Sequence, residues 1–166
     1  MSDTTDLPWR IFQNINGFIA SADAKASGIL AAEGVILGVV LGNLKSVVEA
    51  LSGWAPATLA IIAATALSAS FFFALQCLTP RLKINYPTGP ASLIYFKSVA
   101  AMDYTVFADG LKRMANDEPH AVEHIGQQAW INAHIATAKF TDVQRSLRLF
   151  GLAVLLAILA TLGAFI

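Results

Sequence analysis

The residue with the clearest capacity for chemistry is an acidic side chain inside an aliphatic run. Glu33 opens the stretch EGVILGVVLG, residues 33–42, and lies near the middle of a long apolar segment. Inserting a carboxylate into a bilayer costs roughly 2.5–3.5 kcal/mol, so Glu33 is expected to face protein or water. Two interpretations remain open: a buried polar group bonded to a Ser or Thr, or a pore residue exposed when helices rearrange.

Three glycines follow Glu33 at intervals of four residues. Gly34, Gly38 and Gly42 therefore share one face of a helix, and we call them the glycine seam. Helices in lipid associate largely through close packing of such small residues, because lipid removes the hydrophobic driving force. The glycine seam predicts a close helix contact, either within one subunit or between the subunits of a homo-oligomer.

A second group of residues could form ion pairs at the membrane surface. Asp23 and Lys25 are two residues apart on a predicted helix, so they point in different directions and do not pair with each other. Each needs a partner elsewhere, and Lys139, Asp142 and Arg145 are the candidates. The predicted interfacial ion pairs therefore involve Asp23, Lys25, Lys139 and Arg145.

Capacity to bind a phosphate group comes only from cations close to aromatic residues. The pairs are Lys97 with Tyr95 and Phe96, Arg113 with Tyr104, and Lys139 with Trp130.

Signatures of catalysis are weak. The stretch HAVEH, residues 120–124, matches the His-x-x-Glu-His pattern of some zinc peptidases, but no Glu follows Glu123 to complete the ligand set. A solvated first turn of a helix explains it better. The sequence has one cysteine and lacks a glycine-rich phosphate loop and a nucleophile elbow. We predict no catalytic residue, no metal site and no enzymatic activity.

The composition indicates a membrane protein. Apolar residues make up 56% of the chain and charged residues 13%, with a mean hydropathy of +0.61. Soluble domains carry about 25% charged residues. The formal net charge is zero, so no field favours a nucleic acid polymer. Three windows are long and apolar enough to cross a lipid bilayer: about 26–44, 56–78 and 149–166.

Apolar spacing and turn residues predict the elements that carry these side chains. The fold class is all-α: one membrane domain, residues 1–166, with three transmembrane helices and a cytoplasmic helical hairpin continuous with the last span. Before and between the spans we predict a helix over 9–25, a short outer loop over 45–55 and a loop over 84–91. The hairpin covers about 92–148. Its first helix is residues 92–115, and its second helix begins near 118 and continues through the third span to 166.

Lys and Arg are distributed unevenly about the spans. Residues 1–25 hold two, 45–55 hold one and 79–148 hold eight. The positive-inside rule therefore predicts that the N-terminus and residues 79–148 lie in the cytoplasm, with the last span ending at or near the outer face of the membrane.

Four stretches taken in order carry a resemblance to a known family. They are ADAKASGILAAEGVILGVVLGN (22–43), TPRLK (79–83), LIYF (93–96) and IGQQAWINAHIATAKFTDVQRSLRLFGLA (125–153). The chain resembles the small transmembrane effectors of Pycsar-type antiphage defence over nearly its whole length. The best-matching residues are Asp23, Lys25, Ser27, Tyr95, Phe96 and Lys139.

The resemblance implies an inner-membrane protein that is activated by a cyclic nucleotide. A partner cyclase would make this second messenger upon infection, and the effector would then impair the membrane and stop growth. We predict no separate cyclic-nucleotide-binding β-roll in this short form. The candidate ligand-binding residues are Lys25, Tyr95, Phe96, Lys97, Arg113, Trp130 and Lys139.

Two other functions fit the same residues. The chain could be a small ion channel or transporter subunit, with Glu33 as an ion or proton site. It could also be a passive membrane scaffold for a soluble partner.

Overall fold

The computed structural model of the chain describes residues 3–51, 53–81 and 92–163, and these ranges are almost entirely helical. The all-α prediction, with three long apolar helices, is confirmed. The helices are α1 (Asp3–Gly42), α2 (Leu44–Ala50), α3 (Trp54–Leu78), α4 (Phe96–Ala100), α5 (Tyr104–Asn116) and α6 (Glu118–Gly163). By length and composition, α1, α3 and α6 can each cross a membrane.

The last helix forms as expected. Asp117 caps it, because its carboxylate accepts a hydrogen bond from the backbone N–H of His120 at 3.3 Å. α6 then runs without a break to Gly163, a length of about 70 Å at 1.5 Å per residue. The predicted loop over 84–91 and the end of the third predicted span, 164–166, lie outside the described residues.

Two predicted elements differ from the structure. The expected outer loop over 45–55 contains the seven-residue helix α2. The expected helix over 92–115 is two helices, α4 and α5, because α4 ends at Ala100 and Asp103 caps a new start. Its carboxylate accepts hydrogen bonds from the backbone N–H of Thr105 at 2.9 Å and from the Thr105 hydroxyl at 2.6 Å.

The chain divides into two compact units. The first unit comprises Met1–Ala20 and Pro80–Thr137, and the second comprises Ser21–Thr79 and Ala138–Ile166. α1 and α6 therefore contribute residues to both units.

Small residues bring the helices of the second unit together. Ala22 and Ala26 on α1 are fully buried, and Cys77 on α3 is buried in the same core with Val143 of α6. Short side chains at these positions allow the backbones to approach closely. The second unit is thus a packed three-helix core, and it positions the polar groups described below.

In the first unit, one glycine is required by a close approach. A Cβ atom at Gly110 of α5 would lie 2.8 Å from Cδ2 of Leu93. Gly110 is buried there, so the glycine leaves room for the leucine to pack on α5.

Candidate functional site

A buried lysine joins all three long helices of the second unit. The Lys139 ammonium on α6 donates to the Asp23 carboxylate on α1 and to the Cys77 carbonyl oxygen on α3, each at 2.5 Å. The carbonyl belongs to the last turn of α3, where backbone oxygens lack helical partners. Lys139 is 5% exposed. Asp23, Cys77 and Lys139 therefore lie at one level of the unit, and we call them the lysine clamp.

The other cations predicted to form ion pairs contact aromatic rings. The Lys25 ammonium lies 5.0 Å from the centroid of the Phe140 ring. The Arg145 guanidinium lies 5.5 Å from the centroid of the Phe73 ring. Both distances are within the range of cation–π attraction. Such a contact can stabilise a positive charge near lipid without a carboxylate partner.

Two serines form a second contact level deeper in the unit. The Ser70 hydroxyl on α3 donates to the Ser146 carbonyl oxygen on α6 at 2.9 Å, and the two hydroxyl oxygens are 3.1 Å apart. Both residues are fully buried. Ser70 precedes Cys77 by seven residues and Ser146 follows Lys139 by seven, so α3 and α6 run antiparallel in register.

Glu33 lies at the level of Ser70 and Ser146, which we call the serine level. Its side chain is 3% exposed, and the Ser70 hydroxyl is a polar neighbour of its carboxyl group. Neither carboxyl oxygen has a hydrogen-bond partner of good geometry among the described residues. The Ser70 hydroxyl donates its well-formed hydrogen bond to the Ser146 carbonyl oxygen instead, and this leaves the Glu33 carboxyl group without a well-formed hydrogen bond from the described residues.

The register shows where charge ends along the second unit. Ser146 lies between Arg145 and Arg148, the last charged residues of α6. Beyond Glu33 on α1, Ser70 on α3 and Arg148 on α6, the three helices carry no further charge up to Gly42, Trp54 and Gly163. On α3 this uncharged layer covers residues 54–70, about 25 Å at 1.5 Å per residue. Glu33 therefore lies at the edge of the uncharged layer, level with the basic residues of α6.

The glycine seam faces away from the rest of the chain. A Cβ atom at Gly34, Gly38 or Gly42 would meet nothing within 4 Å among the described residues. Aliphatic side chains beside it, including Val35 and Val39, are also exposed. The glycine seam thus makes no close contact with α3 or α6 within the part of the second unit that the structure describes.

The candidate ligand-binding residues are divided between the units. Lys25 and Lys139 belong to the second unit, and the Lys139 ammonium is already engaged in the lysine clamp. The other five lie in the first unit, where Phe96 is 68% and Trp130 54% exposed. The rings of Tyr95 and Phe96 meet edge to face at 5.0 Å, and Trp130 packs against His134 at 4.2 Å. Lys97 and Arg113 are exposed.

A hydrogen-bonded series of buried and half-buried polar side chains in the first unit was missed by the sequence analysis. The Ser92 hydroxyl donates to Gln128 Oε1 at 3.0 Å, Gln128 Nε2 donates to Asn132 Oδ1 at 2.9 Å, and Asn132 Nδ2 donates to Asn16 Oδ1 at 2.7 Å. The available signal was the spacing of Gln128 and Asn132, which are four residues apart on a face shared with apolar residues. These hydrogen bonds join the segment before α4 to α6 and α1.

The HAVEH segment forms part of the buried face of α6. His124 is 3% exposed, and its ring meets that of His120 at 4.5 Å. Burial lowers the pKa of His124, and the neighbouring His120 lowers it further, while Glu123 opposes them. Among the described residues, no three His, Cys, Asp or Glu side chains gather as they would around a metal ion.

Comparison with known proteins agrees with this architecture. The family model of the Pycsar effector protein domain matches residues 8–166. No curated protein and no solved structure matches the chain. The match includes all three long apolar helices, the lysine clamp and the glycine seam. The chain therefore belongs to the Pycsar effector family of antiphage transmembrane proteins.

Proposed function

We propose that this protein is a non-enzymatic effector of the bacterial inner membrane, which a nucleotide second messenger activates to self-associate and damage the bilayer. The observation that carries the proposal is the open glycine seam. It lies in the uncharged layer of a long membrane-spanning helix, and no described part of the same chain packs on it.

Self-association would give the glycine seam the partner that it lacks within one chain. Lipid chains pack poorly against a flat row of glycines, whereas a second helix can bring its backbone close to them. The closest-fitting partner surface is the glycine seam of another copy, because C2 contacts use the same surface twice. A dimer formed in this way would place the α1 helices of two subunits side by side.

The signal would be received by the first unit. Phe96 and Trp130 expose aromatic faces on which a nucleobase could stack, and such stacking contributes about 1–3 kcal/mol per base. Lys97 and Arg113 provide exposed positive charge for a phosphate. Ligand binding there would act on α1 and α6, which also form the second unit.

Substitution within the glycine seam tests the proposal. Gly38→Ile adds a branched side chain where a partner backbone would approach, yet a Cβ atom at this position meets no other helix among the described residues within 4 Å. Insertion and stability should be retained, while messenger-dependent oligomers, measured by crosslinking in membranes, and growth arrest should be lost. Gly151→Ile is the matched control, because Gly151 is an equally open glycine on α6.

Normal oligomers and normal growth arrest in Gly38→Ile would contradict assembly through the glycine seam. Loss of both in Gly151→Ile as well would show that any added bulk in the membrane is harmful, and it would remove the support for this particular surface.

An ion channel or transporter subunit is the second candidate, and the buried Glu33 carboxyl group favours it. In a channel, Glu33→Leu and Glu33→Gln should both change ion leakage through reconstituted vesicles at unchanged protein level. A passive scaffold would tolerate Glu33→Leu without any effect, because leucine removes an insertion cost of a few kcal/mol.

A further inference from the structure

The polar groups at the serine level form an unusual environment for an acid. Glu33, Ser70 and Ser146 come from α1, α3 and α6, and each is at least nine-tenths buried. The Glu33 carboxyl group has no hydrogen-bond donor of good geometry among the described residues. A carboxylate buried without a donor or a countercharge is strongly unfavourable, so something must neutralise it.

Hydrogen bonding at this level determines what could neutralise the carboxylate. The Ser70 hydroxyl gives its proton to the Ser146 carbonyl oxygen. Ser70 Oγ therefore presents lone pairs, not a proton, to its other neighbours. A group placed between Glu33 and Ser70 consequently meets oxygen atoms from both sides, and such a site attracts a positive species.

Charged side chains nearby do not supply that positive charge. α3 carries none between Trp54 and Leu78. On α6 the charged residues at neighbouring levels are Asp142, Arg145 and Arg148. The Arg145 guanidinium lies over the Phe73 ring, and Arg148 is exposed. Within α1, Lys25 lies two turns away over the Phe140 ring.

We propose that Glu33, Ser70 and Ser146 form a binding site for one small cation, either a sodium ion or a proton. Carboxyl and hydroxyl oxygens suit both, since hard cations prefer oxygen ligands and a protonated carboxyl group can donate to Ser70 Oγ. The site lies at the edge of the uncharged layer, so its occupancy allows α1 to pack against α3 and α6 there. The inference concerns the resting protein and does not depend on activation by a nucleotide.

Thermal unfolding of the purified protein in lipid nanodiscs tests the sodium form. At constant pH and ionic strength, choline chloride is replaced by sodium chloride. Sodium at about 100 times its dissociation constant should raise Tm by about 5 °C in the wild-type protein. The rise should disappear in Glu33→Gln, which keeps the side-chain shape, and shrink in Ser70→Ala. Glu49→Gln is the matched control, because the Glu49 side chain is 68% exposed.

Infrared spectroscopy of the same samples tests the proton form. A carboxylic acid C=O band at neutral pH that is present in the wild-type protein and Glu49→Gln, but absent in Glu33→Gln, assigns the proton to Glu33. Its frequency should shift in Ser70→Ala, because the hydrogen bond to Ser70 Oγ is lost. The proposal is overturned if the wild-type protein shows neither a sodium-dependent Tm nor this band, or if both signals persist unchanged in Glu33→Gln.

Discussion

Among single residues, Lys139 depends most on its partner, because removal of that partner would leave a buried positive charge. Its ammonium is almost fully buried, whereas the Asp23 side chain is 38% exposed. The pair is therefore asymmetric: water can reach the carboxylate when its partner is removed, but it cannot readily reach the ammonium. The two ends of one salt bridge should consequently differ in what their removal costs.

Asp23→Ala should destabilise the second unit by about 3 kcal/mol, because it leaves a buried charge with the Cys77 carbonyl oxygen as its remaining partner. Lys139→Met should cost about 1 kcal/mol or less, since methionine fills similar space and Asp23 stays hydrated. The double variant should be more stable than Asp23→Ala alone. Chemical unfolding in micelles measures all three.

The exposed Lys45–Glu49 pair on α2 supplies the control for this comparison, with its charges 4.0 Å apart. Lys45→Met should change the free energy of unfolding by less than about 0.5 kcal/mol. Equal losses for Asp23→Ala and Lys139→Met would show that burial of the ammonium does not govern the lysine clamp.

On the scale of helices and turns, the boundary between α4 and α5 depends on one side chain. Apolar residues such as Val99, Met102 and Val106 continue at helical spacing across this boundary, so periodicity alone predicts one helix. Asp103 overrides that pattern, because its carboxylate binds the first free backbone N–H of α5. A local hydrogen bond thus decides where the element begins.

Asp103→Ala should accelerate amide hydrogen exchange in the first turn of α5 at neutral pH, because the cap is lost. Asp103→Asn should not, since its amide oxygen still accepts the hydrogen bond. The hydrogen bonds from the Thr105 hydroxyl and backbone N–H lower the pKa of Asp103 below its usual 3.8. The cap therefore stabilises fully above pH 3.8 and is lost as the pH falls through the lower, folded-state pKa.

Acidification provides the internal check of this prediction. Protection is the intrinsic exchange rate at each pH divided by the observed rate. The wild-type protein should lose protection in the first turn of α5 only below the usual aspartate range, whereas Asp103→Asn should keep it. An equal loss of protection in both proteins would mean that another group controls the start of α5.

For the whole molecule, the distribution of Lys and Arg governs orientation in the membrane. Ten of the eleven lie in residues 1–25 and 79–148, and one lies in the segment between α1 and α3. The positive-inside rule predicts that both basic segments lie in the cytoplasm. The register of the second unit adds that Arg145 and Arg148 lie at the level of Glu33, where long cationic side chains can extend toward the lipid headgroups.

Reporter fusions check this orientation. A reporter that is active only in the periplasm should be active after residue 166 and inactive after residue 117. A reporter that is active only in the cytoplasm should give the opposite result at both sites. The reversed pattern would overturn the orientation, and activity of the same reporter at both sites would overturn a membrane crossing by α6.

Local rules in the sequence determined the helical class, the three apolar helices and the uninterrupted course of α6. Each depends on residues within a few positions of one another, where helical periodicity and capping act. The family resemblance also followed from ordered stretches of sequence, and residues 8–166 match the family model.

Tertiary structure alone decided which side chains meet. The sequence left Asp23 with two possible basic partners on the last helix, Lys139 and Arg145. The register of α1, α3 and α6 selected Lys139, which is 116 positions away in the chain. The same register brought Ser70 to Ser146, buried Glu33 beside them and left the glycine seam open. Helical periodicity fixes the face of each residue but not the sliding or rotation of one helix against another. Packing of Ala22, Ala26 and Cys77 determines how far the helices slide and rotate against one another, and this packing exists only in the folded unit.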